Sequence, residues 1–107
     1  MSSQKEYLDY ILEQLSLSED IAYRAMMGEY IIYYKGKVVG GIYDDRFLVK
    51  DIKAAREMLP DANLEIPYDG AKKMILVYNI EDKEFMKTLM EKMYPELPEP
   101  KRKKRGY

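Results

Sequence analysis

The sequence predicts an α+β fold, an antiparallel β-meander of about five strands with helices packed mainly on one face. Two observations predict it. Between Tyr23 and Lys50, short apolar runs rich in tyrosine are broken at Gly28, Lys35-Gly36 and Asp44-Asp45, the spacing of hairpin turns. On either side of that block, Leu8, Ile11, Leu12 and Leu15, and later Phe85, Met86, Leu89, Met90 and Met93, recur at helical spacing.

The elements follow in order. Ser3 and Glu6 form a Ser-x-x-Glu capping box, which satisfies two orphan amides at a helix start, so a first helix is predicted over about residues 3–15. Residues 17–20 connect it to strands predicted at 21–27, 29–35, 37–43 and 46–50. Asp51 is placed to cap a short helix on which Ile52, Ala55 and Leu59 share a face, and Pro60 ends it. Residues 61–73 read as a loop or edge segment, with turn chemistry at Pro67, Asp69 and Gly70, and 74–78 as a buried fifth strand. Asn79 is the expected cap of the third helix, with Glu81, Asp82 and Glu84 suited to its positive end. The expected organisation is one domain over residues 1–95 and a flexible Pro/Lys/Arg-rich tail over 96–107.

The strand pattern also predicts two faces. With two-residue loops at Lys35-Gly36 and Asp44-Asp45, Ile31, Tyr33, Val38, Gly40, Ile42, Phe47 and Val49 point one way and should cover the helices. Tyr30, Ile32, Tyr34, Lys37, Val39, Tyr43, Arg46, Leu48 and Lys50 then point the other way. That mixed, aromatic surface suits a protein partner, because tyrosine combines contact area with a hydrogen-bonding tip. The plainer reading, which the pattern favours, is that the same face is half covered by the termini or by a second copy of the chain, or simply solvated. A three-residue loop with Gly36 in a bulge would exchange the two faces from Lys37 onward. Gly40-Gly41 marks either a bulge or the close approach of another element. Arg24 pairs with a carboxylate of the body or extends to solvent, the favoured reading, or else contacts a partner beside Tyr30.

Composition restricts chemistry more than it assigns it. At 107 residues, 47% hydrophobic and 35% charged, the chain fits one ordinary globular domain. No apolar run approaches the roughly 20 residues of a membrane span, and the N-terminal residues lack the pattern of a signal peptide. With no cysteine, a cytoplasmic setting is expected. The absence of histidine as well removes the usual neutral-pH base, the thiol nucleophile and the usual zinc and copper ligands, so neither an enzyme nor a metal or other cofactor is expected. The carboxylate pairs Glu19-Asp20, Asp44-Asp45 and Glu81-Asp82 read as turns or helix starts. A carboxylate-, tyrosine- or lysine-based enzyme is the remote alternative, with Tyr68, Lys72 and Lys73 as its first residues. The eight methionines read as flexible core filling.

Arg24-x-Met26-x-Gly28-x-Tyr30-x-Ile32-Tyr33-x-x-Gly36, with Asp44 and the closing Leu48-Val49-Lys50, resembles the signature of the TfoX (Sxy) N-terminal domain family. The resemblance runs from the residues before the meander to the last helix. It departs from the pattern at Glu29 and Ile31, where the family often has glycine. Two-domain members regulate natural competence as co-activators with the cyclic-AMP receptor protein. Their C-terminal domain has no counterpart in these residues, so a stand-alone version of the N-terminal domain is expected.

The leading expectation is therefore a protein-interaction module with a role in transcription regulation, its partner surface built from Tyr30, Tyr34, Tyr43, Arg46 and Arg24. A homodimer fits the same surface. The second is nucleic-acid binding through Lys101, Arg102, Lys103, Lys104 and Arg105, with strong salt dependence and little sequence preference. These five of the 18 basic residues leave 13 against 19 acidic ones elsewhere, a net charge of −6 on the body. Such a body repels a nucleic-acid backbone unless its charges are segregated.

Overall fold

A computed structural model describes residues 3–99. The fold is an open antiparallel sheet of six strands with three helices, α+β as the pattern predicts. Helix α1 (Lys5–Gln14) precedes the meander β1 (Ile21–Met26), β2 (Glu29–Tyr34), β3 (Lys37–Ile42) and β4 (Phe47–Val49). Helix α2 (Lys53–Met58), strands β5 (Leu64–Glu65) and β6 (Met74–Leu76), and helix α3 (Lys83–Met93) follow. The sheet order is β1-β2-β3-β4-β6-β5, so the two-residue β5 is the strand that the sequence pattern reads as loop or edge.

The meander is made by three two-residue turns of one kind. Met27-Gly28, Lys35-Gly36 and Asp44-Asp45 all have positive φ at both positions, between 51° and 86°. That geometry matches the right-handed twist of the flanking strands. Asp45 takes the left-handed conformation without glycine because two contacts hold it. Its N–H donates to Ser3 Oγ at 3.0 Å, and its carboxylate accepts from the Gln4 N–H at 2.9 Å.

Those contacts correct the expected capping box. Ser3 does not cap α1; its hydroxyl donates to Glu29 Oε1 at 2.6 Å, and the same oxygen accepts from the Asp44 N–H at 3.1 Å. The start of α1 is capped from a neighbouring turn. The other helices repeat the lesson. Asp51 is engaged by Arg56, and Glu96 Oε1 accepts the Ala54 N–H at the start of α2. Asp82, not Asn79, caps α3, accepting from the Phe85 N–H at 3.0 Å.

The register of the faces also needs correction. The Lys35-Gly36 loop has two residues, with Tyr34 opposite Lys37 and Tyr33 opposite Val38. Beyond that the ladder slips, and Ile32 lies opposite Gly40, leaving Val39 as the extra residue of a β-bulge. Ile42, Phe47 and Val49 therefore cover the helices as expected, but the residues before the slip exchange faces, with Tyr30, Ile32, Tyr34 and Val39 joining them in place of Ile31, Tyr33 and Val38. Tyr30, Ile32, Tyr34, Val39, Ile42, Phe47, Val49 and Ile75 face the helices, whereas Ile31, Tyr33, Val38, Gly41, Tyr43 and Leu48 face away.

The helix-facing set packs against Leu8, Ile11 and Leu15, against Ala55 and Leu59, and against Met86, Leu89, Met90 and Met93. Burying each of the large side chains contributes about 1.5–3 kcal/mol. Leu97, placed in the tail by the sequence pattern, is buried in the same core, so packed structure continues past Pro95. Gly40 and Gly41 have no room for a side chain. A Cβ at Gly40 would meet the Leu48 carbonyl oxygen at 2.0 Å, and one at Gly41 would meet the Tyr43 ring at 2.7 Å.

Because the obstruction at Gly40 is backbone, it cannot rotate away. Gly40→Ala should cost about 3 kcal/mol, the upper end for overpacking, read as a lower urea midpoint at unchanged slope.

Candidate interaction site

The proposed tyrosine surface is not a single surface in the fold. Tyr34 is 5% exposed on the helix side, its ring edge-on to Tyr94 at 5.7 Å. Tyr43 is 8% exposed on the opposite face, covered by Tyr68 at 6.0 Å. Tyr30 is half-buried on the helix side beside Tyr23, and Arg46 is half-buried, bonded to Glu65 and to the Tyr43 carbonyl. Arg24 stands opposite Ile31 and so on the other face from Tyr30. The bulge at Val39 and the cover of residues 67–68 disperse the set. The tail residues Lys101, Arg102, Lys103, Lys104 and Arg105 lie outside the described residues.

What the fold does expose is β1. It is an end strand of the sheet, and five of its six residues are exposed. Lys35 N donates to Asp20 O at the end of the β1–β2 ladder. Alternation then pairs Asp20, Ala22, Arg24 and Met26 with β2 and turns the N–H and C=O groups of Ile21, Tyr23 and Ala25 outward. Tyr23 and Met26 are each at least 40% exposed, and Met27 at the turn tip is 94% exposed. Arg24 is exposed and forms no ion pair among the described residues, so the expected pairing with a body carboxylate is not made. Edge strands are commonly shielded by charged side chains, proline or a covering segment; β1 carries one charge, Arg24, and no proline, and among the described residues no strand pairs with its outer edge. The sequence predicts a strand over residues 21–27, but its place at the end of the sheet follows from the strand order.

A second feature is a cleft of about 600 Å³ on the other side of the molecule. Val38, Tyr43, Ile52, Pro67, Tyr68 and Pro98 give it apolar and aromatic walls, and Lys50, Lys72 and Lys73 open onto it. Asp51 also lines it, but Arg56 holds that carboxylate and keeps its pKa below the ordinary range.

The carboxylate pairs have structural partners. Asp44 and Asp45 belong to the turn network, Asp82 caps α3, and Glu81 accepts from the Tyr10 hydroxyl at 3.1 Å. Among the described residues no group of three or more aspartates or glutamates is arranged to hold a metal ion, and no helix is long and apolar enough to cross a membrane.

In sequence the chain is similar to the "uncharacterized 12.7 kDa protein in trpE 5'region" of Spirochaeta aurantia, with 33% identity over 72 residues. The match covers 67% of this chain and 63% of that relative's length. No family model matches the chain, and no solved structure does.

Burial makes Tyr34 structural. Tyr34→Ser should lower stability by about 3 kcal/mol, as for other large core truncations, whereas Tyr23→Ser on the exposed edge should stay within about 0.5 kcal/mol. Thermal unfolding of the two variants separates these outcomes. Burial also raises the Tyr43 and Tyr7 phenols above their ordinary value of 10.0. The unfolded chain then ionises first. The stability they contribute is full below about pH 10 and is lost as pH rises through their higher native values. Tyr43→Phe should flatten the alkaline fall in urea midpoint, measured from pH 9 upward.

Proposed function

We propose that the chain is a non-enzymatic protein-interaction module that takes an extended segment of a partner protein as an added strand beside β1. The observation that carries this reading is the six-residue edge, whose outward backbone groups at Ile21, Tyr23 and Ala25 have the spacing that a strand requires. Main-chain hydrogen bonds supply affinity, and Tyr23, Met26 and Met27 supply apolar contact at one end.

Charge selects the occupant. Arg24 forms no ion pair among the described residues, so a partner strand with an acidic residue opposite this position gains one. Two copies paired antiparallel about Tyr23 would instead set their Arg24 side chains diagonally on one face, within reach of mutual repulsion. A heterologous acidic segment therefore fits better than a second copy. The resemblance to the TfoX N-terminal domain supports a regulatory partner, and the transcription-regulatory role is proposed on that ground.

The test replaces Tyr23 with the photo-crosslinker benzoylphenylalanine in cells, with the same replacement at exposed Glu57 on α2 as control. A crosslink to a different protein is expected from position 23 alone. Ala25→Pro, which removes an outward N–H, should abolish it, and Arg24→Glu, which leaves the backbone intact, should weaken it at least fivefold. No product, a product indifferent to both substitutions, or a product of twice the chain's mass would each sink the proposal.

A further inference from the structure

We propose that the cleft beneath Tyr68 binds a small organic anion that joins a phosphate group to a planar ring, such as a nucleoside monophosphate. At about 600 Å³ the cleft is of the size that small-molecule sites take, roughly 300–1,000 Å³. Its chemistry is divided. Tyr68 is 57% exposed, with Tyr43 buried behind it at a ring separation of 6.0 Å, and Pro67, Ile52 and Val38 continue an apolar wall. The Tyr68 ring packs against Tyr43 at a tilt of 55° and the side chain still meets solvent, so it offers aromatic surface to a planar ligand.

The cleft is also lined by charge. Lys50, Lys72 and Lys73 line the cleft, and none of them forms an ion pair among the described residues. Among the other described lysines, Lys53 and Lys92 are likewise without an ion pair but do not line this cleft, and the rest are engaged. Lys5, Lys83 and Lys87 each meet a carboxylate, and Lys37 meets Glu99 and the Tyr94 ring. The acidic residue of the cleft, Asp51, is held by Arg56, so it does not cancel the three ammonium groups. On a body whose net charge is −6, three uncompensated lysines around one concave aromatic site are the place where an anion is attracted. Lysine serves phosphate as a mobile point charge, which tolerates the open mouth of this cleft.

The β1 edge and this cleft are separate, sharing no residue, so the two proposals stand or fall independently. The test is titration of the full-length ¹⁵N-labelled protein with adenosine 5′-monophosphate, with inorganic phosphate and a single-stranded oligonucleotide as comparison probes. Saturable amide shifts centred on Lys50, Tyr68, Lys72 and Lys73 are expected with the nucleotide, at least tenfold tighter than with phosphate. The pair Lys72→Gln and Lys73→Gln, both exposed and remote from the core, should weaken binding at least tenfold at unchanged melting temperature. Tyr68→Ala should bring nucleotide affinity down to that of phosphate. Shifts centred elsewhere, equal affinity for phosphate and nucleotide, or a preference confined to the oligonucleotide would overturn the assignment.

Discussion

Between Ile32 and Tyr33 the β2–β3 ladder accommodates one more residue on β3 than on β2, and the identity of the core depends on that mismatch. Side chains alternate along a strand, so a single unpaired residue exchanges the faces for everything beyond it. Val39 is that residue. Its carbonyl accepts from the Lys50 N–H at 2.9 Å, and its side chain is fully buried. Ile42, Phe47 and Val49 consequently join Tyr30, Ile32 and Tyr34 against the helices. The two glycines that follow Val39 let the bulged strand lie close to β4 and to the Tyr43 ring. The bulge and the glycines act together, since the tight approach would be blocked by any side chain.

A second constraint operates at the turn ends. Ser3, Glu29, Asp44 and Asp45 join the start of α1 to two separate hairpins through contacts of 2.6 to 3.1 Å. Local rules assign Ser3 to a cap, Asp44 and Asp45 to a turn and Glu29 to a strand end. Their actual partners lie between 15 and 42 residues away in sequence. Glu96 does the same for α2 from the far end of the chain. The starts of α1 and α2 are thus satisfied by tertiary contacts, whereas Asp82 caps α3 locally, so a local pattern alone misjudges the cost of removing a nominal cap at the first two.

The legible part of the fold was the part that local chemistry dictates. Positive-φ turns at Lys35-Gly36 and Asp44-Asp45, the stripe Leu8–Ile11–Leu15 and the stripe Met86–Leu89–Met90–Met93 were all readable from spacing. The facing of the strands was not, because Gly40-Gly41 signals a bulge without saying which residue is left unpaired. Nor could the sequence show that Tyr43 lies beneath Tyr68, since that contact crosses 25 residues of chain. The site suffered accordingly. Tyr34 and Tyr43 look like surface tyrosines on a flat alternating strand and are core in a bulged one. That Arg24 is exposed and forms no ion pair among the described residues is visible only in three dimensions. The edge role of β1 depends on sheet order, which no residue pattern in Ile21–Met26 encodes.

The three successive hairpin turns also bear on how the chain acquires this structure. Strands β1 to β4 each pair with the strand next in sequence across two-residue loops or the short stretch around Asp44-Asp45. Such contacts close at little entropic cost and form on microsecond timescales in isolated hairpins. The pairing of Leu48 with Leu76 is different, because it must bring in a strand from beyond α2 and β5. The meander is thus placed to organise first, with β6 and the α3 stripe docking onto it as the slower, rate-setting event.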